Sequence, residues 1–184
     1  YRGSKPVMWS TVEKTALAEA EIEYKEHKST TIFVKFPVLE SSDVDLKGSS
    51  VVIWTTTPWT IPGNRAIAYS KNIRYSLFEI NETEENSHLK IEDRIIIAQD
   101  LEESFKEQCR VKSMTKIKNI ENLEGFICSH PFAKSGYDFE IKLYDADFVT
   151  LEQGTGFVHI APGHGADDYI LGITNNIEVP ETVD

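Results

Sequence analysis

Four threonines raise the first chemical question about this chain: Thr55, Thr56 and Thr57 in a row, then Thr60. A hydroxyl both donates and accepts a hydrogen bond, so such a cluster suits a ribose or a positioned water. Threonine also simply favours strands, and the run by itself does not decide between the two. The continuation, Pro58-Trp59-Thr60-Ile61-Pro62-Gly63-Asn64-Arg65, favours the first. Two prolines, an indole, an amide and a guanidinium are more than a turn needs. They fit a small pocket at the mouth of a barrel.

The second constellation runs from Gly154-Thr155-Gly156 through Phe157-Val158-His159-Ile160-Ala161-Pro162-Gly163-His164-Gly165 to Ala166-Asp167-Asp168-Tyr169. Strand, glycine-rich turn and helix in that order bring backbone close to a ligand. Both aspartates fall at a helix N-terminus, where backbone N–H groups favour an ionised carboxylate. One can cap the helix while the other faces a pocket. His159 reads equally as a satisfied core histidine or as a pocket wall, and His164, between glycines, as exposed. The spacing His159…His164…Asp168 is not a zinc pattern, so no metal is expected.

No Gly-x-Ser-x-Gly elbow, Walker loop or dinucleotide fingerprint occurs. Cys109 and Cys128 are too few for a disulfide scaffold or a four-thiolate zinc site, and are expected to be reduced. An enzyme built from these parts positions water rather than forming a covalent intermediate.

The elements that must hold these groups are mostly strands. Ala18 to Tyr24 alternates apolar and charged residues, which predicts a strand with one wet face, paired as a hairpin with Ile32 to Phe36. Val51 to Thr57 is a β-branched strand with Val51, Ile53, Thr55 and Thr57 on one face and Val52, Trp54 and Thr56 on the other. Pro58 and Pro62 end its ladder and predict an irregular, extended connection. Further strands are expected at Arg74 to Ile80, Ile95 to Ala98, Val111 to Ile120, Gly125 to Cys128, Phe139 to Leu143, Phe148 to Leu151 and Gly156 to Ile160. Asp100 to Cys109 is the clearest helix, with Leu101, Phe105 and Cys109 on one stripe. Another helix begins at Ala166 to Leu171. Short strands with few helices indicate a mostly β (α+β) fold, a closed, barrel-like domain with peripheral helices.

With 184 residues the chain makes one ordinary domain, and its 30 acidic against 19 basic side chains leave a net charge of −11. That excess disfavours broad binding to nucleic acid or anionic membrane, because each phosphate contact calls for Lys or Arg. It leaves room for a local basic path. No apolar run approaches the ~20 residues of a membrane span. The chain begins with Tyr1, and it reads as a piece of something longer.

Trp54-Thr55-Thr56-Thr57-Pro58-Trp59-Thr60-Ile61-Pro62-Gly63-Asn64-Arg65-Ala66-Ile67 and the Gly154 to Tyr169 segment resemble the inserted editing domain, connective peptide 1, of isoleucyl-tRNA synthetases. Lys5-Pro6-Val7, Ala16 to Tyr24 and His130-Pro131-Phe132 are similar to the same domain, so the likeness spans nearly the whole chain. Valyl- and leucyl-type sister domains carry a Thr-Thr-Arg-Pro sequence followed by an acidic residue, where this chain has Thr57-Pro58-Trp59-Thr60. The HIGH and KMSKS motifs of the catalytic body are absent from these residues.

The resemblance implies a single editing domain over 1–184, with 1–30 and 172–184 as connections toward the rest of a synthetase. It implies hydrolysis of the ester joining valine to the terminal adenosine of isoleucine tRNA. A hydrophobic pocket gains only ~1–3 kcal/mol from one methylene, isoleucine against valine being the standing example, so a second, smaller site must supply the rest. By the same likeness the catalytic residues are Thr56, Thr57 and Asp168, with Asp168 holding the substrate's α-ammonium. Trp54, Thr55, Thr60, Asn64, His159, Ala161, Gly163 and His164 are the implied substrate-binding residues, with His159 setting pocket size and Asn64 reaching ribose or water. Editing needs no cofactor; ATP and Mg2+ belong to the ligase body. The implied partners are the valine-charged 3′ end of isoleucine tRNA, touched through hydroxyls, backbone and a few cations such as Arg65, and the remaining synthetase chain. A cytoplasmic monomer is expected. The alternatives are a tRNA-end binding module without hydrolysis, or a valyl- or leucyl-type domain clearing another amino acid.

Overall fold

The computed structural model describes residues 5–26 and 28–181. Its elements, in chain order, are β1 (Trp9–Ser10), β2 (Thr15–Ala16), β3 (Ile32–Glu40), β4 (Ser50–Thr55), β5 (Ala66–Tyr69), β6 (Tyr75–Thr83), β7 (Arg94–Ala98), α1 (Glu102–Cys109), β8 (Val111–Ile120), β9 (Ile127–Ser129), β10 (Glu140–Asp145), β11 (Val158–Ile160) and α2 (Ala166–Thr174). Nine strands form one mixed sheet in the order β11-β5-β10-β9-β3-β4-β7-β6-β8. The β5–β10 and β4–β7 pairs are parallel and the other neighbours antiparallel.

The expected closed barrel is not found. Among the described residues no ladder joins β11 to β8, and the sheet stays open at both edges. Its middle is covered on both faces. Val51 and Ile53 of β4, with Ile96 and Ala98 of β7, enter the large core that also holds Phe36, Leu77 and Phe126. Val52, Ile95 and Ile97 face the other way, onto Phe78, Phe105 and Val111. A strand buried on both faces reads as an unbroken apolar run, which is how β4 and β7 are written.

Three local expectations are corrected. Ala18 to Tyr24 forms no strand; Glu19–Glu21 is a 3-10 turn with no buried residue. Its alternation serves no buried face. The Glu21 carboxylate instead accepts from the Ala18 N–H at 2.7 Å, and β3 pairs with β4 and β9 rather than with this segment. Phe148 to Leu151 has no ladder partner among the described residues either, although Val149 is buried. β4 stops at Thr55, and the next segment, Pro58–Gly63, is a 3-10 helix rather than an extended connection. Pro58 opens it, where a missing N–H costs nothing.

Cys109 and Cys128 are both free thiols, and burial pushes each up to about 12. No helix is long and apolar enough to cross a membrane among the described residues.

Candidate functional site

The 3-10 helix exists because the threonines ahead of it bend the chain. The Thr57 N–H turns back onto Thr55 Oγ1 at 3.1 Å, which ends the ladder and swings Thr56 and Thr57 out of the sheet. Thr60 N–H then reaches Thr57 O at 3.0 Å, and Asn64 N–H reaches Ile61 O at 3.0 Å, the i to i+3 pattern of a tight turn. Immediately beyond, β5 pairs with β11, placing His159 beside Ile67. Residues 55–60 and 159 thereby meet at one end of the sheet.

Their hydrogen bonds form one ordered chain. Asn64 Nδ2 donates to the Ala66 carbonyl at 2.8 Å, which fixes the amide's orientation. The same nitrogen stands 3.1 Å from His159 Nδ1, so that ring nitrogen must accept. The proton therefore sits on Nε2, which donates to Thr60 Oγ1 at 2.8 Å. Thr60 passes its own proton to Thr57 O at 2.8 Å. Thr55 Oγ1 and Thr57 Oγ1 lie 3.2 Å apart, and Thr57 Oγ1 and Thr60 Oγ1 lie 3.4 Å apart. His159 is 9% exposed, and burial holds its pKa down at about 4. It is neutral, with both nitrogens engaged.

Thr56 differs from its neighbours. It is exposed and lines the pocket, and its hydroxyl has no partner among the described residues, while its carbonyl accepts from Ser29.

The second wall comes from the turn and helix after β11. Asp168, in the first turn of α2, folds back so that its Oδ1 accepts from the Ala161 N–H at 3.0 Å. Gly165 makes this possible: a Cβ there would stand 2.1 Å from Asp168 Oδ2. Burial raises the pKa of this carboxyl, against the lowering effect of the Ala161 N–H. Neither aspartate caps α2, since Gly165 holds the cap position. His164 is exposed, as expected, and its ring packs so closely on Gly63 that a Cβ there would stand 3.0 Å from it.

These walls enclose a pocket of about 470 Å³. Trp54, Thr55, Thr56, Thr57, Thr60, His159, Ala161, His164 and Asp168 all line it. Asn64 and Gly163 do not. Asn64 is fully buried and serves His159 from behind, so it is not open to ribose or water as expected. Arg65 is also spent internally. Its guanidinium donates to the Asn64 and Pro62 carbonyls at 2.8 and 3.3 Å and lies 4.5 Å over the Phe139 ring. It is not a cation free for phosphate.

Trp59, Phe148, Thr150, Gln153, Gly154, Gly156, Phe157 and Val158 complete the lining, and none of them is among the site residues expected from sequence. Trp59 and the Gly154 to Val158 run lie inside the two motifs, and an indole beside the threonines is a usable signal. Phe148, Thr150 and Gln153 gave none, because their side of the chain follows from an irregular segment.

Residues 1–162 match the family model of the class I tRNA synthetases (I, L, M and V). The whole chain is 48% identical over 186 residues to the isoleucine–tRNA ligase of Pelagibacter ubique, and 50% identical over 191 residues to that of Caulobacter vibrioides. It spans about 20% of the length of each of these relatives. Among solved structures, the CP1 domain of GlLeuRS superposes with a TM-score of 0.60 at 17% identity, covering 80% of this chain and 61% of that one. The editing domain of the P. knowlesi cytosolic leucyl-tRNA synthetase gives 0.56 at 13% identity, over 81% and 65%. At these identities the structures speak for the fold.

Proposed function

Since the chain belongs to the class I tRNA synthetase family of the I, L, M and V type, we propose that it is the editing domain of an isoleucine–tRNA ligase and hydrolyses the ester of valine wrongly joined to isoleucine tRNA. One observation carries this reading. One pocket sets a half-buried carboxylate, Asp168, opposite a threonine row in which the Thr56 hydroxyl has no partner among the described residues.

The chain's own groups divide the work. Asp168 takes the α-ammonium of the aminoacyl group, an ion pair that offsets the burial now raising its pKa. Bound to a cation it is no general base. His159 cannot be one either, because its Nδ1 accepts from Asn64 and its Nε2–H is given to Thr60. It acts as a fixed wall against the substrate side chain. Thr56 keeps a full hydroxyl for the ester or the attacking water, and Thr57 keeps one lone pair. Water adds to the ester carbonyl, the tetrahedral adduct collapses, and the ribose oxygen leaves with the proton, releasing valine and free tRNA. Rate comes from orientation and hydrogen bonds to the developing oxyanion. Trp59, 68% exposed at the rim, offers a flat face to a nucleobase.

No step here draws on a cofactor; ATP and Mg2+ would serve only the ligation site of a longer chain. The partners are the charged 3′ end of the tRNA and that longer chain, in the cytoplasm. The test compares valyl-charged isoleucine tRNA with the same tRNA after acetylation of the α-amino group, the domain being in excess. Ester loss from the free amine alone is expected. Loss from neither contradicts hydrolysis, and equal loss from both contradicts the ammonium anchor.

A further inference from the structure

His130 stands outside the pocket, in the His130-Pro131-Phe132 segment, and the mechanism above does not use it. It is 1% exposed. Its ring stacks on Tyr137 at 5.1 Å and 18°, and meets the edges or tilted faces of Phe36, Phe132 and Phe139. Such a position calls for an apolar side chain, yet a histidine occupies it, with both nitrogens engaged by backbone.

The Phe132 N–H donates to Nδ1 at 3.0 Å, so Nδ1 carries no proton. Nε2 must then donate, and it points at the Ile61 carbonyl, 3.0 Å away and 69 residues distant in sequence. That carbonyl also receives the Asn64 N–H, the bond that closes the 3-10 helix after Thr60. Asn64 in turn orients His159 through its side chain. Burial lowers the pKa of His130, with the Arg65 charge acting in the same direction, so the neutral ring this arrangement needs is the one present.

We propose that His130 is a positioning residue of the editing site: it braces the turn that displays Thr57 and Thr60 by holding the Ile61 carbonyl from behind. The proposal rests on the function assigned above for its consequence, though not for its geometry. An imidazole suits the task because its two nitrogens lie on opposite edges of a plane. One edge is tied to its own segment, the other to the turn, and the faces pack against rings.

Two substitutions in the chain separate the two edges. In His130→Gln the amide reaches the place of Nε2 and keeps a donor for Ile61, while losing the acceptor for Phe132. In His130→Asn the shorter amide keeps the acceptor and loses the donor. Amide hydrogen exchange at Thr60 and Asn64 is expected to be roughly tenfold faster in H130N than in H130Q, one hydrogen bond's worth, with single-turnover deacylation slowed in the same order. A merely structural role would move both variants alike, and equal exchange at Thr60 and Asn64 in the two overturns the brace. Should a variant fail to fold, the wild-type ring decides: imidazole NMR is expected to find the proton on Nε2, and a proton on Nδ1 contradicts the assignment. If the exchange pattern holds while wild-type chain leaves valyl-tRNA intact, the brace stands and the proposed function falls.

Discussion

Thr60 Oγ1 lies 2.8 Å from His159 Nε2 across 99 residues of sequence, and this bond locks the threonine turn to the edge strand β11. It is made by a buried, neutral ring whose other nitrogen is held by Asn64. Pocket wall and hydroxyl row are therefore one rigid unit, and a change at either end is felt at the other.

Thr60→Val removes the hydroxyl at nearly constant volume. It leaves the buried His159 N–H without an acceptor and the Thr57 carbonyl with the Thr60 N–H alone, at a cost of about 2 kcal/mol in unfolding free energy. Deacylation is expected to fall roughly tenfold as the turn loosens. Thr60→Ser, which keeps the hydroxyl, should recover most of both. Urea unfolding and single-turnover kinetics on the three proteins check this.

Acid should weaken the fold through His159. The unfolded chain takes its proton near pH 6.5, the folded chain only near about 4. Between those values the unfolded state holds more protons, so stability is complete above pH 6.5 and falls as pH drops toward 4, by up to about 3 kcal/mol. Burial lowers the pKa of His130 too, which acts in the same direction. Asp168 has the opposite sign, its raised pKa favouring the folded state as acid protonates it. Comparing urea midpoints of wild type and His159→Gln across this range isolates the histidine: the variant should lose most of the acid-side slope.

Asp168→Asn should separate function from stability. Burial penalises the ionised carboxyl in the free domain, and an amide oxygen can still accept from the Ala161 N–H. Thermal unfolding is expected to stay level or rise, while deacylation of valyl-tRNA drops by about 100-fold or more for want of an anchor for the ammonium. A variant that is stable and fully active would show that Asp168 is not that anchor.

Gly156→Ala tests the second wall. Gly156 has φ 78°, and a Cβ there would come within 2.5 Å of Ala98 Cβ, while its carbonyl accepts from the buried Tyr75 hydroxyl at 2.6 Å. Strain and clash together should cost about 2–4 kcal/mol, read as a lowered urea midpoint.

Much of this was legible before the structure. Val111 to Ile120 forms a strand with those very bounds, and of the Leu101-Phe105-Cys109 stripe Leu101 is buried in a 3-10 turn at Gln99–Leu101, Phe105 is buried on α1 and Cys109 is half-buried at its end. Burial follows the helical period at Phe105, but along β8 it does not follow alternation, since the register against β6 shifts at Ile117 and leaves that side chain exposed. Ala18 to Tyr24 forms no strand because alternation is informative only when some surface covers one face, and among the described residues none does. Barrel closure failed for a related reason: whether β8 meets β11 depends on pairing between distant strands, which strand-by-strand patterning does not encode. At the site, residue types announced the hydroxyls and Asp168. They could not tell that Asn64 and Arg65 point inward, because an amide or a guanidinium serves a backbone carbonyl as readily as a ligand.

The most direct measurement is ester loss from three charged tRNAs under single-turnover conditions: valyl- and isoleucyl-charged isoleucine tRNA, and threonyl-charged valine tRNA. Cleavage of the first, with the other two spared, is the predicted result. Cleavage of the threonyl ester instead, or loss of none with the domain in saturating excess, contradicts the account.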